Sequence, residues 1–443
     1  MSLKVVELND RAITVSDDGG ILLQSPGFAL VEGDVVHVGE SAQQQARLYP
    51  NQSYNKYWQE LNLEPISHGN NFRHYADIAY AHLLDLAESA GLDGDVILAV
   101  PGNFNRQQLA ILLGLCQQCP FKVTGVVDSA VAAVSLLEPP RTTIYADIQL
   151  HQVVLTRVSL NGGLLEAGST IQIPGVGSQS FMELMMRMAT DMFIQQCRFN
   201  PQHNANSEQQ LYNALPDWLT EVDDGNLILE LKAGDTLHTA KMPRDSLIAS
   251  LSGHFQKIKE QITALANGSN VQLVITPALA TLPGFQSSIG LPCMVADRHA
   301  IHDACLHHRR EIESDASAGA MQLAKSLPAP DVAVADKTEV QKPTHALFKN
   351  RAVPIRNIEV ANQPALNGNG ASEGALLFDI AGLPATLGRL TLANERIYFD
   401  SGALEYSLNQ SPASGEKELQ LGDQISFKGS NDVITLIQVE GVR

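Results

Sequence analysis

The chain has 443 residues, 44% of them hydrophobic, enough for more than one buried core, and its length predicts two to four domains. Acidic residues outnumber basic ones 48 to 30, for a formal net charge of −18; this argues against a nucleic-acid partner, which needs Lys and Arg to neutralise phosphates. Apolar runs fall short of the ~20 residues that cross a bilayer, and the N-terminus lacks a basic segment before an apolar core, so the expectation is a cytoplasmic protein with protein partners and no membrane contact.

In chain order, the clearest local signal begins at residues 96–100, an apolar run of strand length closed by Pro101-Gly102. Asn105 then caps a helix whose Leu109, Leu112, Leu113 and Cys116 recur at helical spacing, and Cys119-Pro120 ends it. A second strand at residues 123–127 leads into Asp128-Ser129, which caps an Ala-rich helix over residues 130–136. Strand, helix, strand, helix is the pattern of a parallel α/β sheet. Further on, Val153, Leu155 and Arg157 alternate as in a hairpin strand.

Five cysteines, Cys116, Cys119, Cys197, Cys293 and Cys305, are an odd count in a long chain and do not form a secreted disulfide framework. Cys116 and Cys119 make a C-x-x-C, a spacing open to redox or metal chemistry, but with no second pair the reading favours core residues. Asp297, His299, His302, Cys305, His307 and His308 form a second cluster. At helical spacing His299, His302 and Cys305 drift around the axis, so a polar surface helix with a cationic end is favoured over zinc, and no metal site is assigned. Residues 326–345, rich in Pro, Ala and charge, read as a linker. Short β-type runs at 376–380, 387–392, 396–399, 404–408, 418–421, 424–427 and 433–439 then predict a compact all-β domain over 346–443, with a flexible loop at Asn367-Gly-Asn-Gly-Ala-Ser-Glu-Gly.

Residues 1–325 resemble the nucleotide-binding domain of DnaK-type heat-shock chaperones, within the actin-like ATPase superfamily. The motifs are Val100-Pro-Gly-Asn-Phe-Asn with Val123-Thr-Gly-Val-Val-Asp-Ser-Ala-Val-Ala-Ala; upstream Ile21-Leu-Leu-Gln-Ser-Pro, Val38-Gly-Glu-Ser-Ala and Tyr49-Pro-Asn-Gln; downstream Gly175-Val-Gly-Ser with Phe181, Met242-Pro-Arg-Asp-Ser-Leu, Val271-Gln-Leu-Val-Ile-Thr-Pro with Leu282-Pro-Gly-Phe, and Ser314-Asp-Ala-Ser-Ala-Gly-Ala. The resemblance implies an actin-like (ribonuclease H-like) two-lobed fold, with the second lobe at about 150–325 and residues near 295–310 inserted. Such ATPases hold nucleotide on turns whose glycines let backbone N–H groups approach phosphate.

Those turns depart from the family pattern. Val5-Val-Glu-Leu-Asn-Asp-Arg stands where the family has Ile-Asp-Leu-Gly-Thr-Thr, with Glu7 at the Asp position and Asn9 beside it. Asp147 keeps the magnesium-positioning acid of the second turn, but Gln149, Leu150 and His151 replace its three glycines, and Gln152 its threonine. Thr276-Pro277 replaces the Gly-Gly of the adenosine loop, while Gly175 and Gly177 remain in the last phosphate turn. The cleft positions expected from the resemblance are therefore Glu7, Asn9, Gly175, Gly177 and Thr276. Asp128, at the place of a glutamate that positions water and metal, with Asp147 and Lys56, forms a catalytic set only if ATP hydrolysis is retained.

The tail is weakly similar to forkhead-associated domains, through Thr386-Leu-Gly-Arg and Leu419-Gln-Leu-Gly-Asp-Gln-Ile. It lacks the serine and histidine expected after a Gly-Arg turn, which favours a sandwich for protein contact over a phosphothreonine pocket. Two functional classes follow: a pseudo-ATPase scaffold or adaptor without cofactor, or a divergent chaperone-like ATPase using ATP and magnesium. Loss of glycines at three loops favours the first.

Overall fold

The computed structural model describes residues 3–66, 72–220, 226–313, 321–330, 343–363, 375–393, 396–409 and 411–438. Two compact units divide the chain, Met1–Val332 and Ala333–Arg443.

The first unit opens with β1 (Lys4–Glu7), β2 (Ile13–Asp17), β3 (Gly20–Ser25), β4 (Ala29–Glu32), β5 (Val35–Val38), α1 (Glu40–Gln43) and β6 (Ser53–Tyr54). Then come α2 (Tyr75–Ser89), β7 (Asp95–Val100), α3 (Arg106–Cys116), β8 (Lys122–Asp128) and α4 (Ser129–Val134). A second series runs through β9 (Thr143–Ile148), β10 (Gln152–Asn161), β11 (Leu164–Pro174), α5 (Ser178–Cys197), α6 (Ala205–Thr220), the hairpin β12 (Asn226–Ala233) and β13 (Thr236–Pro243), and α7 (Arg244–Ala266). It ends in β14 (Gln272–Ile275), α8 (Pro277–Ala280), α9 (Phe285–Ile289), β15 (Cys293–Val295), α10 (Ala300–His307), α11 (Arg309–Ile312), β16 (Leu323–Ala324) and β17 (Ser326–Pro328).

Two six-stranded sheets repeat one plan. In the first, ordered β16-β8-β7-β1-β2-β3, β1 to β3 are antiparallel neighbours, while β7 and β8 add in parallel beside β1. In the second, ordered β15-β14-β9-β10-β11-β17, β9 to β11 are antiparallel, and β14 and β15 add in parallel beside β9. Both β8 and β15 lead into a helix, capped by Asp128 in the first case and preceded by a turn at Asp297 in the second. Asp128 Oδ1 accepts from Ala130 N at 2.9 Å and Val131 N at 3.3 Å, and Asp297 Oδ1 accepts from His299 N at 2.7 Å. The reciprocal cap on α3 is also formed: Asn105 Oδ1 accepts from Gln108 N at 2.9 Å, and Gln108 Oε1 from Asn105 N at 3.0 Å.

Each series has its own core, and a third joins them. Val5, Ile97, Ala99 and Val127 of the first sheet meet Tyr145, Val158 and Val274 of the second around α4 and α10, which pack on one another. Fully burying side chains of this size contributes roughly 1.5–3 kcal/mol each. Close approach is enforced at Gly125 on β8, where a Cβ would lie 2.7 Å from the Ile312 carbonyl.

Two expectations change here. The segment 295–310, read as an inserted surface helix, supplies α10, the counterpart of α4 in the repeated plan. It buries Ile301, His302, Ala304 and Cys305, because its apolar spacing faces the joint between the sheets. Residues 326–328, placed in a linker, are β17, paired with β11. Of the segment matched to the family at 314–324, residues 314–320 lie outside the described residues and Leu323–Ala324 is strand beside β8.

The second unit is all β: β18 (His345–Phe348), β19 (Arg351–Pro354), β20 (Asn357–Asn362), β21 (Leu376–Phe378), β22 (Thr386–Ala393), β23 (Arg396–Asp400), β24 (Tyr406–Leu408), β25 (Ser411–Ala413), β26 (Glu416–Leu419), β27 (Gln424–Ser426) and β28 (Val433–Ile437). They form a six-stranded sheet, β19-β18-β28-β27-β24-β25, and a five-stranded one, β21-β20-β22-β23-β26. Phe348, Phe378, Phe399, Tyr406 and Phe427 dominate the core. Buried Asn362 donates to the Ile380 and Leu383 carbonyls at 2.8 and 3.0 Å and accepts from Ile380 N at 2.9 Å, fixing the approach to β22. Gly388-Arg389 lies inside β22, within the run expected at 387–392 and not in the turn that the forkhead-associated pattern implies, and a Cβ on Gly388 would run into the Phe399 ring. The expected loop at 367–374 lies outside the described residues.

Candidate functional site

Two turns face each other in the first unit, one joining β1 to β2 and one joining β9 to β10. The second carries Gln149, Leu150 and His151, and each reaches into the first series. The Gln149 amide pairs reciprocally with Asn103, Asn103 Nδ2 donating to Gln149 Oε1 at 3.1 Å and Gln149 Nε2 to Asn103 Oδ1 at 3.2 Å. Leu150 is buried against Phe28, Leu30 and Ala42, and its N–H donates to Asp10 Oδ1 at 2.8 Å. His151 Nε2 donates to the Asn55 carbonyl at 2.9 Å, and burial lowers the pKa of its ring.

The same turn occupies the N-terminus of α5. Ser178 N donates to the Gln149 carbonyl at 2.9 Å, Gln179 N to Leu150 at 2.8 Å, and Gly175 N to His151 at 3.0 Å. Those N–H groups are the ones a helix start offers to an anion. Gly177 is packed so tightly that a Cβ would collide with Gln152 N and the backbone of His151 and Leu150. Gly175 and Gly177 therefore serve the joint between turn and helix, and neither lines the cleft described next.

Beside the turns lies a cleft of about 400 Å³, whose lining includes Glu7, Asn9, Arg11, Tyr145, Asp147 and Thr276 and also Asp297, Arg298 and Ile301. Asn9 Nδ2 donates to Asp147 Oδ1 at 2.9 Å, Oδ2 at 3.0 Å and the Ile148 carbonyl at 3.1 Å, and Asn9 Oδ1 accepts from Arg11 N at 2.9 Å. Burial first, then Glu7 and Asp10, holds the Asp147 carboxyl well above the usual carboxylate range, with Arg11 opposing. Burial alone raises Glu7 to about 7, and burial raises Asp10 to about 6 against its hydrogen bonds from Leu150 and Arg11. Thr276 Oγ1 is buried with no hydrogen-bond partner among the described residues. Its backbone precedes Pro277, which opens α8 at a position where proline's missing N–H costs nothing.

Of the sequence-derived candidates, Glu7, Asn9, Asp147 and Thr276 converge on this cleft. Asp128 does not: its carboxylate caps α4, 3.0 Å from where a Gly102 Cβ would lie. Lys56 is exposed and sits 3.8 Å from Glu60, away from the lining. The proposed trio Asp128, Asp147 and Lys56 is thus not assembled in the cleft. Sequence reasoning missed Arg11, Tyr145 and Arg298, and it grouped Asp297 with the histidines of the 295–310 segment instead of with the cleft, because that segment was taken for an insertion. It also missed Asn103, whose place in Pro101-Gly-Asn-Phe-Asn was the available signal.

Other candidates resolve as packing. Burial raises the Cys116 and Cys119 thiols to about 12 and 11, so both stay protonated. His302 is buried, with Nδ1 2.9 Å from Asp303, and His308 is buried against the His307 ring instead of forming a solvated cationic end. Among the described residues no group of three His, Cys, Asp or Glu is arranged to hold a metal ion, and no helix is long and apolar enough to cross a membrane.

A second bridge between the series is built on Arg47. Its guanidinium meets Glu183 on α5, lies 3.7 Å from Glu208 on α6 and sits 4.9 Å over the Tyr212 ring. Its N–H donates to Gln209 Oε1 at 2.6 Å, and Gln209 Nε2 donates to the Gln43 carbonyl at 3.2 Å. Compared with known proteins, the chain matches no family model and no curated sequence.

Proposed function

We propose that the protein is a nucleotide-independent scaffold or adaptor: an actin-like, chaperone-type body whose phosphate turns have become a fixed joint between lobes, carrying a β module for protein contact. The repeated strand order of the two sheets, with α4 and α10 between them, supports the two-lobed reading. The observation that carries the functional reading is the turn at Gln149, Leu150 and His151. Its side chains fill the space beside the first turn, and its carbonyls occupy the N–H groups of α5. Phosphoryl transfer depends on positioning and charge stabilisation, which such a turn cannot supply.

The sheets of six and five strands in the second unit support a recognition module of forkhead-associated type, with contact through its loops rather than a phosphothreonine pocket on Gly388-Arg389. The net charge of −18 supports protein partners over nucleic acid in the cytoplasm.

The divergent ATPase is the competing reading, favoured only by Asp147 and Thr276 lining one cleft. Calorimetric titration with ATP and ADP, with and without magnesium, decides between them. The adaptor reading expects no binding heat up to about 1 mM nucleotide. Micromolar, magnesium-dependent binding that disappears in Asp147→Ala overturns it.

A further inference from the structure

We propose that the cleft lined by Glu7, Asp147 and Thr276 binds a small organic amine, its ammonium group held by the two carboxylates and the Thr276 hydroxyl. The proposal rests on the nucleotide-free reading of the same cleft and names what occupies it instead.

Three observations converge. The cavity, about 400 Å³, is of ligand size, where a collapsed pseudo-site would be filled. Thr276 is more than nine-tenths buried and lines it, with an Oγ1 that has no partner among the described residues. Glu7, also in the lining, has no hydrogen-bond donor among the described residues, whereas both oxygens of Asp147 accept from Asn9 Nδ2. Two carboxylates and one hydroxyl among the lining residues match in number the three N–H bonds of an ammonium group.

The alternatives fit less well. A phosphate would face two acids in the lining, with the α5 N–H groups already occupied. A bare divalent cation needs a fuller set of ligands than this cleft gathers. Arg11 and Arg298 on the walls oppose a polyamine and suit an anionic group at the ligand's other end, so the charge layout favours an amino-acid-sized zwitterion.

Titration calorimetry of the full chain with butylamine, 4-aminobutanoate and butanoate tests this, with ATP and magnesium in the same series. The expected result is saturable binding of the two amines and not of butanoate, weakened about tenfold or more in Glu7→Gln and in Thr276→Val. Glu7 faces Asp147 and Tyr145 from β9, Cys305 from α10, and the walls' Arg11 and Arg298. Because burial raises both Glu7 and Asp147, ammonium binding near about pH 6 also releases protons, seen as a dependence of the heat on buffer ionisation enthalpy. No saturable amine binding up to about 50 mM, equal binding of butanoate, or affinities unchanged in both variants would overturn the proposal while ATP stays silent. Micromolar ATP binding overturns the adaptor reading, and this proposal with it.

Discussion

Asp147 and Gln149 stand two residues apart at the end of β9, and their surroundings are opposite. From Gln149 to His151 each residue reaches a partner across the unit, and the backbone carbonyls are taken up by α5. Around Asp147 the cleft stays open, with a threonine hydroxyl that has no partner among the described residues and carboxyls whose pKa values are pushed up by burial. Large side chains at 149–151 fill one place beside β9 and leave the other open. Filling a turn is a local steric event. Filling a cleft between two sheets would need coordinated changes on β1, β9, α8 and the loop before α10.

The comparison is broken most forcefully at the closed end. Gly177→Val introduces a Cβ into the backbone of residues 150–152, which cannot yield without moving the turn. A loss of about 3 kcal/mol or more is expected in urea unfolding of the first unit, above the usual range for overpacking because the obstacle is backbone rather than a side-chain tip. A loss under about 1 kcal/mol would show that turn and α5 are not rigidly joined.

At the open end the sign reverses, since Glu7→Gln should stabilise. In the folded protein Glu7 keeps its proton up to about pH 7, whereas unfolded it loses it near 4.5. Between those values the folded state holds the extra proton, so stability falls as pH rises through the window and levels off above it. Asp10, raised from 3.8 to about 6, adds a fall of the same sign. The glutamine variant removes the Glu7 part. It should match the wild type below about pH 4.5 and exceed it by roughly 2 kcal/mol at pH 8. Equal unfolding curves at pH 8 would mean that water or a bound cation already relieves the buried charge.

Between these extremes lies the Gln149–Asn103 pair, two neutral amides in a partly buried setting. A double-mutant cycle with Gln149→Ala and Asn103→Ala should give a coupling of about 1 kcal/mol, the net worth of such hydrogen bonds. No coupling would reduce the pair to steric filling.

Local rules made part of this legible. The caps at Asn105 and Asp128, the buried strand ending at Pro101-Gly102 and seven of the β-domain strands follow from periodicity and turn chemistry within short windows. Four strands of that domain, β18, β19, β20 and β25, were missed; Arg351–Pro354 and Ser411–Ala413 lie largely exposed and carry little alternation. The place of α10 was invisible because its Ile301, Ala304 and Cys305 spacing looks the same on a surface helix as on one between two sheets. At the site, Leu150 at a place where the resemblance expects glycine argues against phosphate contact. It does not announce that Phe28 and Asp10 will receive its side chain and N–H, since those partners lie more than a hundred residues away.

The smallest effect is expected at Lys56, the residue that loop spacing nominated as a catalytic cation. Its ammonium is about half exposed and lies 3.8 Å from Glu60, one turn along the chain, in solvent that screens the pair. It lines neither the cleft nor the closed turn, although its charge is felt at His151. Lys56→Ala should therefore change unfolding free energy by less than about 0.5 kcal/mol and leave amine titrations superimposable on the wild type. A phosphate-facing lysine would behave otherwise, because its loss removes a point charge from a desolvated site and registers in ligand affinity long before it registers in stability. An affinity change without a stability change in this variant would relocate the ligand from the open cleft toward the turn, and the contrast between the two ends of β9 would have to be redrawn.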